Sequence, residues 1–332
     1  MNQTGGLLHS IKSKKVRKAK KHTKKHTKPT KYKLLRELTK LHTPTGEEER
    51  GVEFLLNYIN KNKSHWKHTP KIIHNKDTKN NIIMVFGKPR VAILSHLDSI
   101  GFTYTGNKNK LIDIGGVIYT QNAPLRGFNS SNDPIFTNLK IKNNTPYTTD
   151  KLEIGTNLTF VPKWKETDKF ITTPNLDNKL GVFVCLQLAK TIENGIIILT
   201  CGEEEPMADD IPYLTKFIYE NYNVNNVVIM DVTEETDTIK IGKGSVITYR
   251  DENIYKRAFV NKIIKILKNN NIQLEVINEG SSDGAGVMSS PYPMNVVFVG
   301  IPIKNLHSNR EITNKKDIGY SIKNIKTIVK KL

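Results

Sequence analysis

Four short apolar runs recur along the chain, each followed closely by an acid or a histidine. They are Val91-Ala-Ile-Leu-Ser, Ile196-Ile-Ile-Leu-Thr, Val227-Val-Ile-Met and Asn295-Val-Val-Phe-Val-Gly. Runs this short, with no polar alternation, read as strands buried on both faces. Between and around them the apolar spacing turns helical, which predicts helices over residues 180–190, 211–222, 255–267 and 318–332. Strands alternating with helices imply a largely parallel sheet covered on both sides. The expected fold class is therefore α/β, with a mixed, mostly parallel central sheet flanked by helices.

The remaining segments are less regular. Leu34, Leu35, Leu38 and Leu41 fall at helical spacing. Thr43-Pro-Thr-Gly-Glu-Glu then breaks that helix and offers a cap for a second, whose apolar face holds Val52, Leu55, Leu56 and Ile59. Asn81-Ile-Ile-Met-Val-Phe reads as another buried strand, joined through Gly87-Lys-Pro-Arg to the strand at Val91. Residues 104–165 hold Gly115-Gly116, scattered Asn and Pro, and short strand-like runs at 135–137 and 157–161. They read as a small inserted β domain, which divides the catalytic α/β domain into residues 34–103 and 166–332.

Charge is spread unevenly. The net charge is +19, but residues 11–33 carry twelve Lys or Arg and no acid, and the 299 residues beyond position 33 hold only +7. Residues 1–33 have too little apolar surface to offset the entropy of ordering, so a disordered basic tail is expected. Such a tail suits nucleic acid, through residues 11–33, or a nuclear address, and it equally suits plain solvation. Cys185 and Cys201 lie in apolar runs and read as buried free thiols of a reducing compartment. No apolar stretch is long enough to span a bilayer, and the first residues lack a signal-peptide core. These features predict a soluble intracellular, cytoplasmic protein with no membrane partner.

In an open α/β sheet, ligands bind beyond the carboxyl ends of the strands. His96-Leu-Asp98 follows the first apolar run, Glu203-Glu204-Glu205 the second and Asp231 the third, while His307 comes soon after the fourth. Asp177 opens the helix predicted at Leu180. Each residue alone has an ordinary explanation: a surface pair, a solvated acidic loop, an N-cap, a turn, a structural histidine. Together they place metal-ligand types at one rim of one sheet. Asp98, two positions from His96 on an extended segment, points the same way and can accept the second ring proton of that histidine. Mixed imidazole and carboxylate donors suit zinc, cobalt or manganese. Two ions about 3.5–4 Å apart, bridged by one carboxylate, would use the whole set, with a spare Glu left as general base.

These pieces resemble the glutamyl/tetrahedral aminopeptidase family, co-catalytic di-metal metallopeptidases. The resemblance covers residues 34–332 in consistent order. It rests on Thr43-Pro-Thr-Gly-Glu-Glu, Asp77 and Asn81, Ser95-His-Leu-Asp-Ser-Ile-Gly-Phe102, Leu176-Asp-Asn-Lys-Leu-Gly-Val182, the acid pair, Asp231-Val-Thr233, Gly242-Lys-Gly244, Ser282-Asp283 and Pro302-Ile-Lys-Asn-Leu-His-Ser308. It implies that Asp177 bridges two divalent ions, most readily zinc. His96 and Asp231 would complete one site, and Glu204 and His307 the other. Glu203 would be the general base and Asp98 the partner of His96. The implied reaction removes the N-terminal residue of a short peptide by attack of a bridging hydroxide, with Glu203 passing the proton to the leaving amine. The inserted domain implies a homo-oligomer. The 79 positions between Asp98 and Asp177 leave room for that domain, whereas related deacylases carry theirs after the acid pair.

Some positions depart from the family pattern. Glu205-Pro206 follows the acid pair where the family has a small residue and glycine, leaving open a register in which Glu204 is the base and Glu205 the ligand. Lys304-Asn305 stands where the family has Arg-Tyr. The insertion is short, and the basic tail has no counterpart. Two other readings stay open: an amidohydrolase or deacylase of small N-acyl compounds, and a fold member that binds nucleic acid through its tail.

Overall fold

The computed structural model of the chain describes Met1 and residues 31–205, 210–278 and 280–332. Most of the expected basic tail, with its proposed nucleic-acid contact, falls outside the described residues. Tyr32 and Lys33, counted with the tail, belong to the folded part. Tyr32 is buried with its ring 6.2 Å from that of Phe183, and Lys33 begins the helix Lys33–Leu38.

Eleven strands form one mixed sheet among the described residues. At its centre four strands run parallel, in the order Gly195–Thr200, Ala92–His96, Asn226–Glu234, Asn295–Lys304. These are the four apolar runs, and every residue of the first two is buried. The sheet continues antiparallel on both sides. Ile82–Phe86 and Lys71–Ile73 lie beyond one edge of the parallel core; Glu311–Asn314, Phe170–Thr173 and Lys165–Glu166 lie beyond the other. Ile82–Phe86 and Ala92–His96 are not paired, because Gly195–Thr200 lies between them.

Two central strands run further than expected. Asn226–Glu234 and Asn295–Lys304 pair with each other as far as Glu234 and Ile303, whereas Asn226–Glu234 pairs with Ala92–His96 only as far as Ile229. Asp231 therefore lies inside a strand rather than at its end. Its pairing with Ala92–His96 ends two residues earlier, and its Oδ1 lies 3.5 Å from Nε2 of His96, the last residue of that strand. Ser245–Thr248, Ile272–Glu275 and Glu311–Asn314 are strands with no clear period in the sequence; pairing with neighbours decides them.

The helix Leu176–Ala189 packs on Asn226–Glu234 and Ala92–His96, and against Lys315–Lys331. All of its residues except Gln187 are buried, which accounts for its apolar character on every side. Glu49–Asn62 is amphipathic, burying Val52, Leu55 and Ile59. Ile211–Tyr222 and Asp283–Ser289 pack on one another.

A separate five-stranded antiparallel sheet has the order Leu111–Ile114, Gly101–Tyr104, Asn157–Phe160, Pro124–Phe128, Pro134–Asn138. It has its own core of Phe102, Tyr104, Leu111, Leu125, Leu158 and Phe160 among others. Four of its strands lie within the expected 104–165 insertion. The fifth starts at Gly101, while Lys165–Glu166 joins the large sheet. We therefore propose residues 101–160 as the limits of the inserted unit. Both cysteines are free and buried, and no helix among the described residues is long and apolar enough to cross a membrane.

Candidate metal centre

Parallel strands deliver their carboxyl ends to one edge, and the site is built there. His96 is the last residue of its strand and lies opposite Thr200 in register. Asp177 enters from the start of Leu176–Ala189, where the Asp177–Asn178 peptide bond is cis. Its carboxylate caps nothing; it faces two histidines at once. Oδ1 lies 3.1 Å from His96 Nε2, and Oδ2 lies 3.3 Å from His307 Nε2. Asp231 Oδ1 is 3.5 Å from His96 Nε2, and Glu204 Oε2 is 3.4 Å from His307 Nε2. Glu203 Oε2 stands 3.8 Å from His96 Nε2. Glu205 points elsewhere, with Oε1 3.4 Å from Gly115 N.

The structure thus brings His96, Asp177, Glu203, Glu204, Asp231 and His307 together around a cavity of about 190 Å³. Donor atoms of His96, Asp177 and Glu204 lie within 4.8 Å of one another, all three side chains being buried. Two donors bound to one tetrahedral zinc at 2.0–2.1 Å sit roughly 3.3 Å apart, close to the spacings found here. Glu204 Oε1 is buried and has no hydrogen-bond partner among the described residues. Leaving a carboxylate oxygen so is costly, and a cation would satisfy it. The residues fit a divalent metal.

Asp98 is fully buried, 3.4 Å from His96 Nδ1 through Oδ1. Its oxygens also accept from Thr45 Oγ1 at 2.7 Å, Glu204 N at 3.1 Å and Glu203 N at 3.3 Å. One side chain therefore holds the loop that carries the acids through its N–H groups and faces the histidine ring as an ion pair, not a hydrogen bond.

The electrostatics follow from burying so many carboxylates. Burial opposes a charge on His96, but Asp231, Glu203 and Asp177 together hold its ring protonated well above the usual imidazole range. Burial likewise disfavours the His307 cation, yet Glu204 and Asp177 push it up to about 10. Burial, with Asp177 nearby, pushes Glu204 up to about 8. Burial also raises Asp177, but hydrogen bonds from His307 and His96 outweigh it and hold that carboxyl well below the carboxylate range. A divalent ion held by these residues would compete with the protons they carry.

A model of the M42 glutamyl aminopeptidase family matches residues 119–323. The chain belongs to the M42 glutamyl aminopeptidase family. It is a hydrolase of the metallo-aminopeptidase type, and the peptidases of this family depend on a dinuclear metal centre. No curated protein matches the chain. Among solved structures it is similar to aminopeptidase APDkam598 from the archaeon Desulfurococcus kamchatkensis, at 18% identity and TM-score 0.78, covering 90% of this chain and 94% of that one. It is also similar to the Pyrococcus horikoshii TET1 peptidase, at 19% and 0.73, covering 90% and 98%. A third is the TET aminopeptidase of Thaumarchaeota archaeon SCGC AB-539-E09, at 14% and 0.77, covering 90% and 96%. At these identities the likeness shows a shared M42-type fold.

Two residues beyond the expected set, Glu311 and Lys179, brace this cluster. Glu311 Oε2 accepts from Leu176 N at 2.6 Å and Asp177 N at 3.2 Å, while Oε1 accepts from His307 N at 3.1 Å. Lys179, fully buried, donates to Thr43 Oγ1 at 2.9 Å, Ser99 Oγ at 2.8 Å, Asp98 O at 3.1 Å and Leu97 O, tying down the turn after His96. Burial pulls that ammonium down to about 8. A charged residue inside an apolar helix was the available signal for Lys179.

Proposed function

We propose that this M42 enzyme releases N-terminal residues from short peptides at two divalent ions, zinc most readily, with cobalt or manganese as alternatives. The observation that carries the reading is the two-sided carboxylate of Asp177, one oxygen toward His96 and the other toward His307. His96 and Asp231 would hold one ion, Glu204 and His307 the other, and Asp177 both. When bound, the ions supply Lewis acidity for the peptide carbonyl and lower the pKa of water. Glu203 borders the site without facing His307, and acts as the base that takes the proton of the attacking water and returns it to the leaving amine. Glu203 also lines an adjoining cavity of about 330 Å³ that none of the five ligand residues lines, which gives the departing peptide room. Asp98 keeps the His96 ring oriented. The orientation of Glu205 toward Gly115 supports Glu203 as base and Glu204 as ligand.

Purified protein given aminoacyl-nitroanilides and short peptides should release amino acids when zinc, cobalt or manganese is added. No release with any of the three would contradict the reading. Glu203→Gln should cut kcat about 10²–10⁴-fold while leaving metal content unchanged.

The inserted unit supports self-association. Ile112, Ile118, Phe136 and Ile154 are exposed large apolar residues within it, with Ile112 and Phe136 on its two opposite edge strands. The Pyrococcus horikoshii TET1 peptidase can assemble into a tetrahedron or a large octahedral shell. A homo-oligomer through the inserted unit is the corresponding assembly here. Light scattering should then report a mass above the 37.7 kDa chain, and a monomer at micromolar concentration would oppose it.

A further inference from the structure

The inserted sheet reaches the metal centre through one short strap. Gly115 and Gly116 follow the strand Leu111–Ile114, with φ of +77° and +67°. Just beyond them, Ile118 N donates to His307 O at 2.9 Å. Gly116 O lies 3.4 Å from His307 Nδ1, and Gly115 N lies 3.4 Å from Glu205 Oε1. A Cβ added at Gly115 would stand 2.5 Å from Glu204 Oε2 and 2.7 Å from Ile100 Cγ2. Only glycine leaves the Glu204 carboxylate where it is.

We propose that this strap is a positioning element of the metal site, so that the inserted unit governs the ion held by Glu204 and His307. The inference rests on the di-metal reading above. A metal-binding histidine needs its second ring nitrogen fixed by an acceptor, so that the first presents its lone pair to the ion. His96 has Asp98 for this purpose. His307 has the carbonyl of Gly116, while the bond from Ile118 N holds its backbone. Gly115, lacking a side chain, sets the space in which Glu204 turns toward the ion. The two ion positions are therefore unlike. One has Asp98 of the core facing His96 Nδ1 at 3.4 Å. The other is oriented partly by the insertion.

The test is zinc binding to the full chain. Chelator-stripped wild type, Gly115→Ala and Ile118→Pro would be titrated by calorimetry, with bound metal counted after desalting and folding checked by circular dichroism. Wild type should take two equivalents. Gly115→Ala should keep one near wild-type affinity and lose about 10- to 100-fold at the other, the range for disturbing a ligand's supporting contacts. Ile118→Pro removes the N–H that braces His307, and because proline also fixes φ at 118 and restricts the buried Val117, its folding and oligomeric state are checked beside its metal binding. It should weaken the same single equivalent, and it decides the matter if Gly115→Ala does not fold. Two equivalents at wild-type affinity in a folded variant would overturn the strap's role. Fewer than two in wild type would instead overturn the di-metal reading beneath it.

Discussion

Glu311 holds three backbone N–H groups with two oxygens, and those groups belong to the segments that present Asp177 and His307. It is fully buried, and burial together with the neighbouring Asp177 charge raises its carboxyl well above the usual range. Glutamine at this position offers one acceptor and turns an amide donor toward the other N–H groups. Glu311→Gln should therefore weaken metal binding about 10- to 100-fold and cost about 1–3 kcal/mol of stability for the donors left unpaired. Calorimetric titration and denaturant melts would measure the two effects separately; unchanged metal affinity would remove Glu311 from the site. His96 and His307 come forward in the sequence because they stand soon after apolar runs, and Asp177 because it opens a helix. Glu311 does not, because it bonds to backbone N–H groups, which impose no spacing and no residue type.

Elements were legible where burial fixes their composition and obscure where pairing does. The four parallel strands announce themselves as apolar runs, whereas Glu311–Asn314 reads as polar and becomes a strand only by pairing with Asn295–Lys304 and Phe170–Thr173. The start of the helix Lys315–Lys331 shows how such joints depend on pH. Asp317, fully buried there, accepts from Gly244 N at 2.8 Å and from Gly242 N. Burial pushes its carboxyl from 3.8 up to about 6, although the two N–H groups pull the other way. A folded-state value above the unfolded one means that the charge opposes folding. Its stabilising contribution is complete below pH 3.8 and is lost as pH rises through 6. That difference corresponds to at most about 3 kcal/mol. Compared by urea melts, Asp317→Asn should gain on wild type as pH goes from 4 to 7, and a flat difference would contradict this account.

At the scale of the molecule, the site draws on five separated segments between His96 and His307, so it exists only in the folded chain. Metal that binds the folded state alone stabilises it, by about 2.7 kcal/mol at a hundred times its Kd. The α/β class could be read from the alternation of strands and helices. The approach of Gly116 to His307 could not, because the two meet only across the fold. That one carboxylate joins two ions is the proposal on which the function rests. It is tested most directly by metal counted per chain in wild type beside Asp177→Ala, both folded. The account predicts two equivalents in wild type and the loss of both together in the variant. A variant that keeps one or two equivalents at wild-type affinity would contradict it.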